Sequence, residues 1–225
     1  MAELIRGLTL EGVRANLQRV QGEIADAAAR AGRSSDDVAL LAAVKYVALE
    51  ELGVLRDAGV ERVGENRAQE LERKAADGRE SWFAWDFIGH LQSRKVKQVL
   101  PHVGLIHSVG TASVVRELGR HAREHTEVLV EVNVSGEEGK SGVRPEALDD
   151  FIAACREEGG VDVVGLMTMP PLASDPEASR RWFAALAELA GARGLRELSM
   201  GTTQDYAVAV EEGATIVRIG TSLYR

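Results

Sequence analysis

The chain is short of cysteine, of cationic excess and of long apolar runs, and each shortage closes off a class of function. A single cysteine, Cys155, stands in 225 residues, so no internal disulfide can form, and no Cys or His neighbours it at metal-ligand spacing. A reducing, cytoplasmic setting fits this, and no metal site is expected. Asp and Glu (35) outnumber Lys and Arg (27), giving a formal net charge of −8. That balance disfavours a broad surface for a nucleic-acid backbone and leaves room only for a local basic patch. No run of about 18 apolar residues is present, as a membrane span would need. The opening MAELIRGLTLEGV lacks the basic and apolar parts of a signal peptide. Neither nucleic acid nor membrane is therefore an expected partner. Long Pro/Gly/Ser linkers, low-complexity tracts and fixed-period repeats are also missing, so one domain over 1–225 is the economical expectation.

What is present is ordinary globular material: 45% apolar and 28% charged residues, in a length that buries about 70–75% of the unfolded surface. Leu10, Val13, Leu17, Val20, Ile24 and Ala28 step by three or four, with Thr9 as N-cap and Gly32 as stop, which predicts a first amphipathic helix. Eight apolar runs follow at 38–44, 62–64, 85–89, 103–109, 127–134, 161–167, 196–200 and 214–220. Helix-like segments separate them at 48–58, 66–77, 91–99, 111–124, 145–158, 176–193 and 203–212. Without Asn-Gly hairpin signals between the runs, the alternation argues for parallel βα units. Eight such units predict an α/β fold, a single closed (β/α)₈ TIM barrel with an extra N-terminal helix. A doubly wound sheet is the alternative.

In such a barrel chemistry belongs at the carboxyl ends of the strands. The first strand ends at Lys45, an amine placed directly after LLAAV. The seventh exits through MGTTQDY and the eighth through RIGTS, where glycines allow close backbone approach and threonines offer hydroxyls. Gly201, Thr202, Thr203, Gly220 and Thr221 are thus the candidate phosphate cradle, since loops after strands 7 and 8 often hold phosphate in this fold. Strand 8 closes against strand 1, so the cradle and Lys45 are neighbours. Together they suggest a phosphorylated aldehyde, pyridoxal 5′-phosphate, held through a lysine Schiff base. Arg218 sits inside the apolar TIVRIG strand, where an unpaired guanidinium is costly. The pyridine nitrogen of that cofactor would accept its hydrogen bond, and the arginine would keep the nitrogen unprotonated by charge repulsion.

The segments LLAAVKYV, GENRAQE, DFIGHLQSRK, IHSV, VEVNVSGEEGKSGV, GLMTMPP and LSMGTTQDYAVAVEEGATIVRIGTSLYR, in this order and over nearly the whole chain, resemble the pyridoxal phosphate homeostasis proteins, the YggS/PROSC-like family. The resemblance implies a barrel like the N-terminal domain of alanine racemase. It implies Lys45 as the cofactor-linked lysine, Asn66 beside the ring, Arg218 at the pyridine nitrogen, and the Thr203 and Gly220–Thr221 regions at the phosphate. It also implies a carrier and regulator of vitamin B6 and amino-acid pools without established catalytic turnover. Departures from the family pattern are Val44 where Ser or Thr is common, Asp86 where His is common, Arg94 where Asn is common, and Gly201-Thr202-Thr203 where Gly-Met-Ser is common. Thr203 keeps a hydroxyl, while Asp86 and Arg94 bear on ligand preference.

Plainer readings compete. Lys45 could be a strand-end lysine reaching for water. Asn66 could cap the following helix, as could Thr202 or Thr203. Arg218 could pair with Glu65 or Glu131. His90 and His107 could be structural, Met167 and Met169 could be packing, and Lys140 in EEGK could be a second amine near the mouth. An amino-acid racemase using the same cofactor is the main functional alternative. Against it, the chain ends five residues beyond Gly220, whereas the racemase fold adds a β-rich domain and a tyrosine in trans. Tyr46, next to Lys45, would point to the opposite face of an extended strand. A cofactor-free lysine aldolase is a weaker, fold-level analogy. Amino acids and, transiently, apoenzymes that use the cofactor are the further partners considered, and a monomer is expected.

Overall fold

The computed structural model describes residues 4–122 and 125–225. The first three residues of the opening stretch, and the last two of the helix expected at 111–124, lie outside the described residues. The first helix, α1 (Leu10–Arg30), starts where Thr9 accepts the Gly12 N–H at 3.1 Å. It buries the stripe Val13, Leu17, Val20, Ile24, Ala27 and Ala28, and Gly32 beyond its end adopts φ 69°, a conformation that favours glycine. Eight strands then close into one parallel barrel in sequence order, with β8 pairing β1. They are β1 (Ala39–Ala43), β2 (Arg62–Glu65), β3 (Ala84–Phe87), β4 (Leu105–Val109), β5 (Thr126–Glu131), β6 (Val161–Met167), β7 (Glu197–Thr202) and β8 (Ile216–Ile219).

Between them run α2 (Leu52–Ala58), α3 (Ala68–Ala75), α4 (Val96–Val99), α5 (Ala112–His121), α6 (Leu148–Glu157), α7 (Arg180–Gly191) and α8 (Tyr206–Glu211), with α9 (Thr221–Tyr224) closing the chain. Each expected strand and intervening helix is present, and the barrel rather than the doubly wound sheet is formed. Several helices are shorter than their sequence segments because their first turns are 3₁₀, as at Leu49–Glu51, Ser93–Lys95 and Pro145–Ala147. α9 was not expected, as four residues carry no readable periodicity.

The core has two layers. Leu41, Leu105, Leu129, Met167 and Ile216 fill the barrel interior, and a larger cluster lies between strands and helices, including Val63, Phe87, Ile106, Val130 and Val217. The alternation of strand side chains therefore sends residues two positions beyond the interior plug toward the mouth: Ala43, His107, Glu131 and Arg218. Cys155 is buried on α6, and burial pushes its thiol up to about 12. It is a packing residue. Among the described residues, no helix is long and apolar enough to cross a membrane, and no group of three or more His, Cys, Asp or Glu could hold a metal ion.

Candidate functional site

At the carboxyl ends of β1, β2, β7 and β8 a cavity of about 360 Å³ opens, lined by Lys45, Asn66, Thr202, Thr203, Arg218, Gly220 and Thr221 among others. Seven of the eight residues singled out in the sequence meet there. Gly201 does not line it. Gly201 has φ 87°, and a Cβ would come within 2.5 Å of Ala209 Cβ and 2.9 Å of Tyr206 Cα, so it lets α8 pack tightly against β7. A larger cavity, about 610 Å³, lies at the opposite end of the barrel against α1. None of the expected site residues touches it.

Arg218 is buried, 6% exposed, and its environment answers how a strand interior tolerates a guanidinium. Nη1 donates to the Ser199 carbonyl at 2.8 Å and to the Ser199 hydroxyl, and Nη2 donates to the Thr168 carbonyl at 2.9 Å and contacts Met169 Sδ at 2.8 Å. A guanidinium has five N–H groups, and Nε has no protein partner among the described residues. Neither Glu65 nor Glu131 forms an ion pair with Arg218. Burial lowers its pKa to about 10, opposed by Asp205 and Glu131, so it is still a cation at neutral pH.

Behind Arg218 the hydrogen bonds continue into the barrel. Ser199 Oγ lies 2.8 Å from His107 Nδ1, His107 Nε2 lies 3.1 Å from Asp86 Oδ2, and that oxygen meets Arg62 Nε at 3.1 Å. His107, structural by the plainer reading, and Asp86 are 0% and 1% exposed. Burial holds His107 below the usual imidazole range, against the pull of Asp86. A neutral imidazole then carries its proton on Nε2 toward Asp86 and accepts the Ser199 hydroxyl at Nδ1. Asp86, the departure from the family pattern, is thus inside the barrel, whereas Arg94 is exposed and bonded to Gln92 at 3.0 Å.

Lys45 stands just past β1, exposed, with Nζ 5.1 Å from the centroid of the Tyr46 ring. Tyr46 lines the same cavity. The strand-alternation argument that sent it to the other face fails because β1 ends at Ala43 and residues 44–47 form a turn, closed by Val47 N–H donating to the Val44 carbonyl at 2.9 Å. Asn66 does not cap α3, whose N-cap is Arg67 without a side-chain bond; its Oδ1 is buried and has no partner. Gly89 runs so close to the Asn66 carbonyl that a Cβ would sit 2.1 Å from it, so only glycine allows β3 to exit there.

On the cradle side, Thr203 Oγ1 accepts the Gly220 N–H at 3.0 Å and ties the two loops together. The amide and hydroxyl of Thr202 both go to Asp205 Oδ1, at 2.7 and 3.1 Å, so Thr202 organises the entry to α8. Lys140 is ion-paired with Glu137. It lines an adjoining cavity with Glu131, which shares Met169 with the main one.

Sequence reasoning missed two contributors. Tyr224 lines the cavity and donates its hydroxyl to the Ala43 carbonyl at 3.2 Å. Lys74, 0% exposed, donates to the Val44 carbonyl at 2.6 Å and to Glu65 Oε2 at 2.7 Å. A signal for Lys74 was available: it falls three residues after Leu71 on the stripe Ala68, Leu71, Ala75 that α3 buries.

A parallel barrel with a lysine after its first strand and a buried arginine in its last defines a class, and residues 13–225 match the family described as Alanine racemase, N-terminal domain. The pyridoxal phosphate homeostasis protein of Aquifex aeolicus (strain VF5) is 42% identical over 217 residues, covering 92% of this chain and 95% of that protein. A crystal structure of an unknown protein from Bifidobacterium adolescentis superposes with a TM-score of 0.88 at 35% identity, covering 99% and 98% of the two chains. PipY of Synechococcus elongatus PCC7942, solved with pyridoxal phosphate bound, gives 0.75 at 29% identity, covering 90% and 100%. The chain belongs to the alanine racemase N-terminal domain family and, within it, to the pyridoxal phosphate homeostasis proteins.

Proposed function

We propose that this protein holds pyridoxal 5′-phosphate at the barrel mouth and regulates intracellular vitamin B6 and amino-acid pools, without catalytic turnover of its own. The observation that carries the reading is Arg218: four of its contacts are committed to the barrel wall, and Nε–H is left for an acceptor. A pyridine nitrogen is such an acceptor, and the adjacent cation opposes its protonation. The orphaned Asn66 Oδ1 and the unpaired Lys45 amine in the same cavity match the other edge of the ring. When bound, the cofactor supplies an aldehyde that condenses with primary amines. The chain supplies the Lys45 amine, the ring contacts of Asn66 and Arg218, and the Thr203, Gly220 and Thr221 region for the phosphate. Amino acids and apoenzymes are the acceptors in this reading, and one barrel domain over 1–225 acts as a cytoplasmic monomer. The relatives' name and the ligand of PipY support it.

A second reading, an amino-acid racemase, is favoured by Tyr46, which brings a second titratable side chain into the cavity beside Lys45. Visible absorption of the purified protein with and without added pyridoxal phosphate, for wild type and Lys45→Ala, tests the carrier reading. A new band is expected in wild type alone, and borohydride reduction should leave the pyridoxyl group on Lys45. No band in wild type, or a label mainly on Lys95 or Lys140, overturns it. Alanine racemisation at an ordinary enzymatic rate of about 1–10³ per second, abolished by Lys45→Ala, would establish the racemase instead.

A further inference from the structure

We propose that the buried Lys74–Glu65 pair is a positioning device that fixes the main chain carrying Lys45 and Asn66 at the edge of the cavity. The β1–β2 ladder ends at Val44 N–H donating to the Gly64 carbonyl at 2.9 Å. Beyond that bond the two strands separate, and their next main-chain groups need other partners. Lys74 Nζ takes the Val44 carbonyl at 2.6 Å, and Glu65 Oε1 accepts the Asn66 N–H at 2.7 Å. The two side chains meet at 2.7 Å, with side-chain exposures of 1% and 0%. One continuous bridge therefore runs from the peptide before Lys45 to the peptide of Asn66.

Stability alone does not account for the pair. Desolvating two charges costs several kcal/mol, and a well-packed apolar pair of similar volume is often as stable. What an apolar pair cannot do is bond a carbonyl and an amide on two different strand ends. The same stretch of chain is gripped elsewhere too: Tyr224 Oη donates to the Ala43 carbonyl at 3.2 Å, and Ile5 N–H to the Tyr46 carbonyl at 2.7 Å. The Lys45 side chain is thus free at the cavity, while its backbone is held by Ile5 and Tyr224, which line the cavity, and by Lys74, which does not. Lys74 and Glu65 do not line the cavity, so their effect on a ligand there is carried through the main chain of Lys45 and Asn66.

The role toward pyridoxal phosphate rests on the function proposed above, and the test separates the two. Lys74→Met alone would strand a buried carboxylate, so the main variant is Glu65→Gln/Lys74→Met, which removes both charges and keeps an oxygen for the Asn66 N–H. Glu65→Gln alone, which keeps the ammonium on Val44, is the second variant. Two quantities are measured: amide hydrogen exchange at residues 44–48 and 66–68 without ligand, and the ratio of affinities for pyridoxal 5′-phosphate and pyridoxine 5′-phosphate, which lacks the aldehyde. The double variant should lose protection in those segments while the remaining strands keep theirs, and the ratio should fall by about tenfold or more. A merely structural pair would lower the melting temperature and leave the ratio unchanged. Unchanged exchange in both variants, or an unchanged ratio, overturns the proposal. Wild type that binds neither ligand overturns the cofactor reading and the role toward it, while hydrogen exchange, which needs no ligand, still decides whether the pair holds these segments.

Discussion

Arg218 and Ser199 face each other across the seam between β8 and β7: one guanidinium nitrogen meets both the carbonyl, at 2.8 Å, and the hydroxyl of the serine. That hydroxyl has a second partner in His107 Nδ1, so it accepts from the arginine and donates to the imidazole. Ser199→Ala removes both hydroxyl bonds at a fully buried position. The loss of hydrogen bonds to a buried charged group should cost about 1–3 kcal/mol, read as a lower midpoint in urea. With added pyridoxal phosphate the affinity should fall as well, because the Arg218 fork loses one anchor. A variant as stable as wild type would show that the hydroxyl is not needed to satisfy the arginine.

His107 makes stability depend on acid. Its folded pKa lies below the ordinary imidazole value because burial disfavours the charged ring. Above the unfolded value of about 6.5 both states are neutral and the histidine contributes no pH dependence. Below it the unfolded chain takes up a proton that the folded chain refuses, so stability falls as pH drops toward the folded value, by at most about 1.4 kcal/mol per pH unit. His107→Gln should flatten this part of the stability profile below about pH 6.5. Identical slopes for the two proteins in urea titrations would remove His107 from the account.

These two residues also mark where the sequence stops being legible. The eight strands, the helices between them and the barrel mouth as the place for Lys45 and Arg218 follow from periodicity and from the alternation of strands with helices, both local properties. The partners of Arg218 do not. Ser199, Thr168 and Met169 lie 19, 50 and 49 residues away in sequence, and carbonyls, which supply two of the contacts, leave no trace in residue identity. Tyr46 was misplaced for the same reason: β1 ends at Ala43, where the main chain meets Lys74 and Tyr224, 30 and 181 residues from their partners, and strand periodicity does not contain such contacts. Thr202 and Thr203 were alike as possible helix caps, the resemblance singling out only Thr203 for the phosphate, and it is the fold that assigns one to Asp205 and the other to Gly220.

That division of labour between the threonines gives a paired test. Thr203→Ala removes the hydroxyl between the two cradle loops and should weaken pyridoxal phosphate by about 1–3 kcal/mol, with little effect on unphosphorylated pyridoxal. Thr202→Ala should act mainly on stability, through the lost bond to Asp205, by about 1 kcal/mol. Both effects are measured by equilibrium titration with the two vitamers and by thermal unfolding. Equal losses for pyridoxal and its phosphate in Thr203→Ala would take the phosphate away from these loops.

Glu131 provides the last test, because it is a carboxyl at the barrel mouth without an ion-pair partner among the described residues. Burial raises its pKa, and the opposing pull of His90 and Arg218 is smaller. For a carboxyl raised in the folded state, the native protein binds more protons than the unfolded chain at every pH between the two values. The slope of stability with pH is then negative across that window: stability is greatest in acid, declines as pH rises above the ordinary glutamate value of about 4.3, and levels off above the folded value. Glu131→Gln removes the titrating charge while keeping the shape. The variant should therefore melt at a higher temperature than wild type near neutral pH, and the difference should shrink to nothing as the pH is lowered through about 4. A Glu131→Gln protein less stable than wild type at neutral pH would mean that the carboxylate earns its place by an interaction stronger than its burial cost.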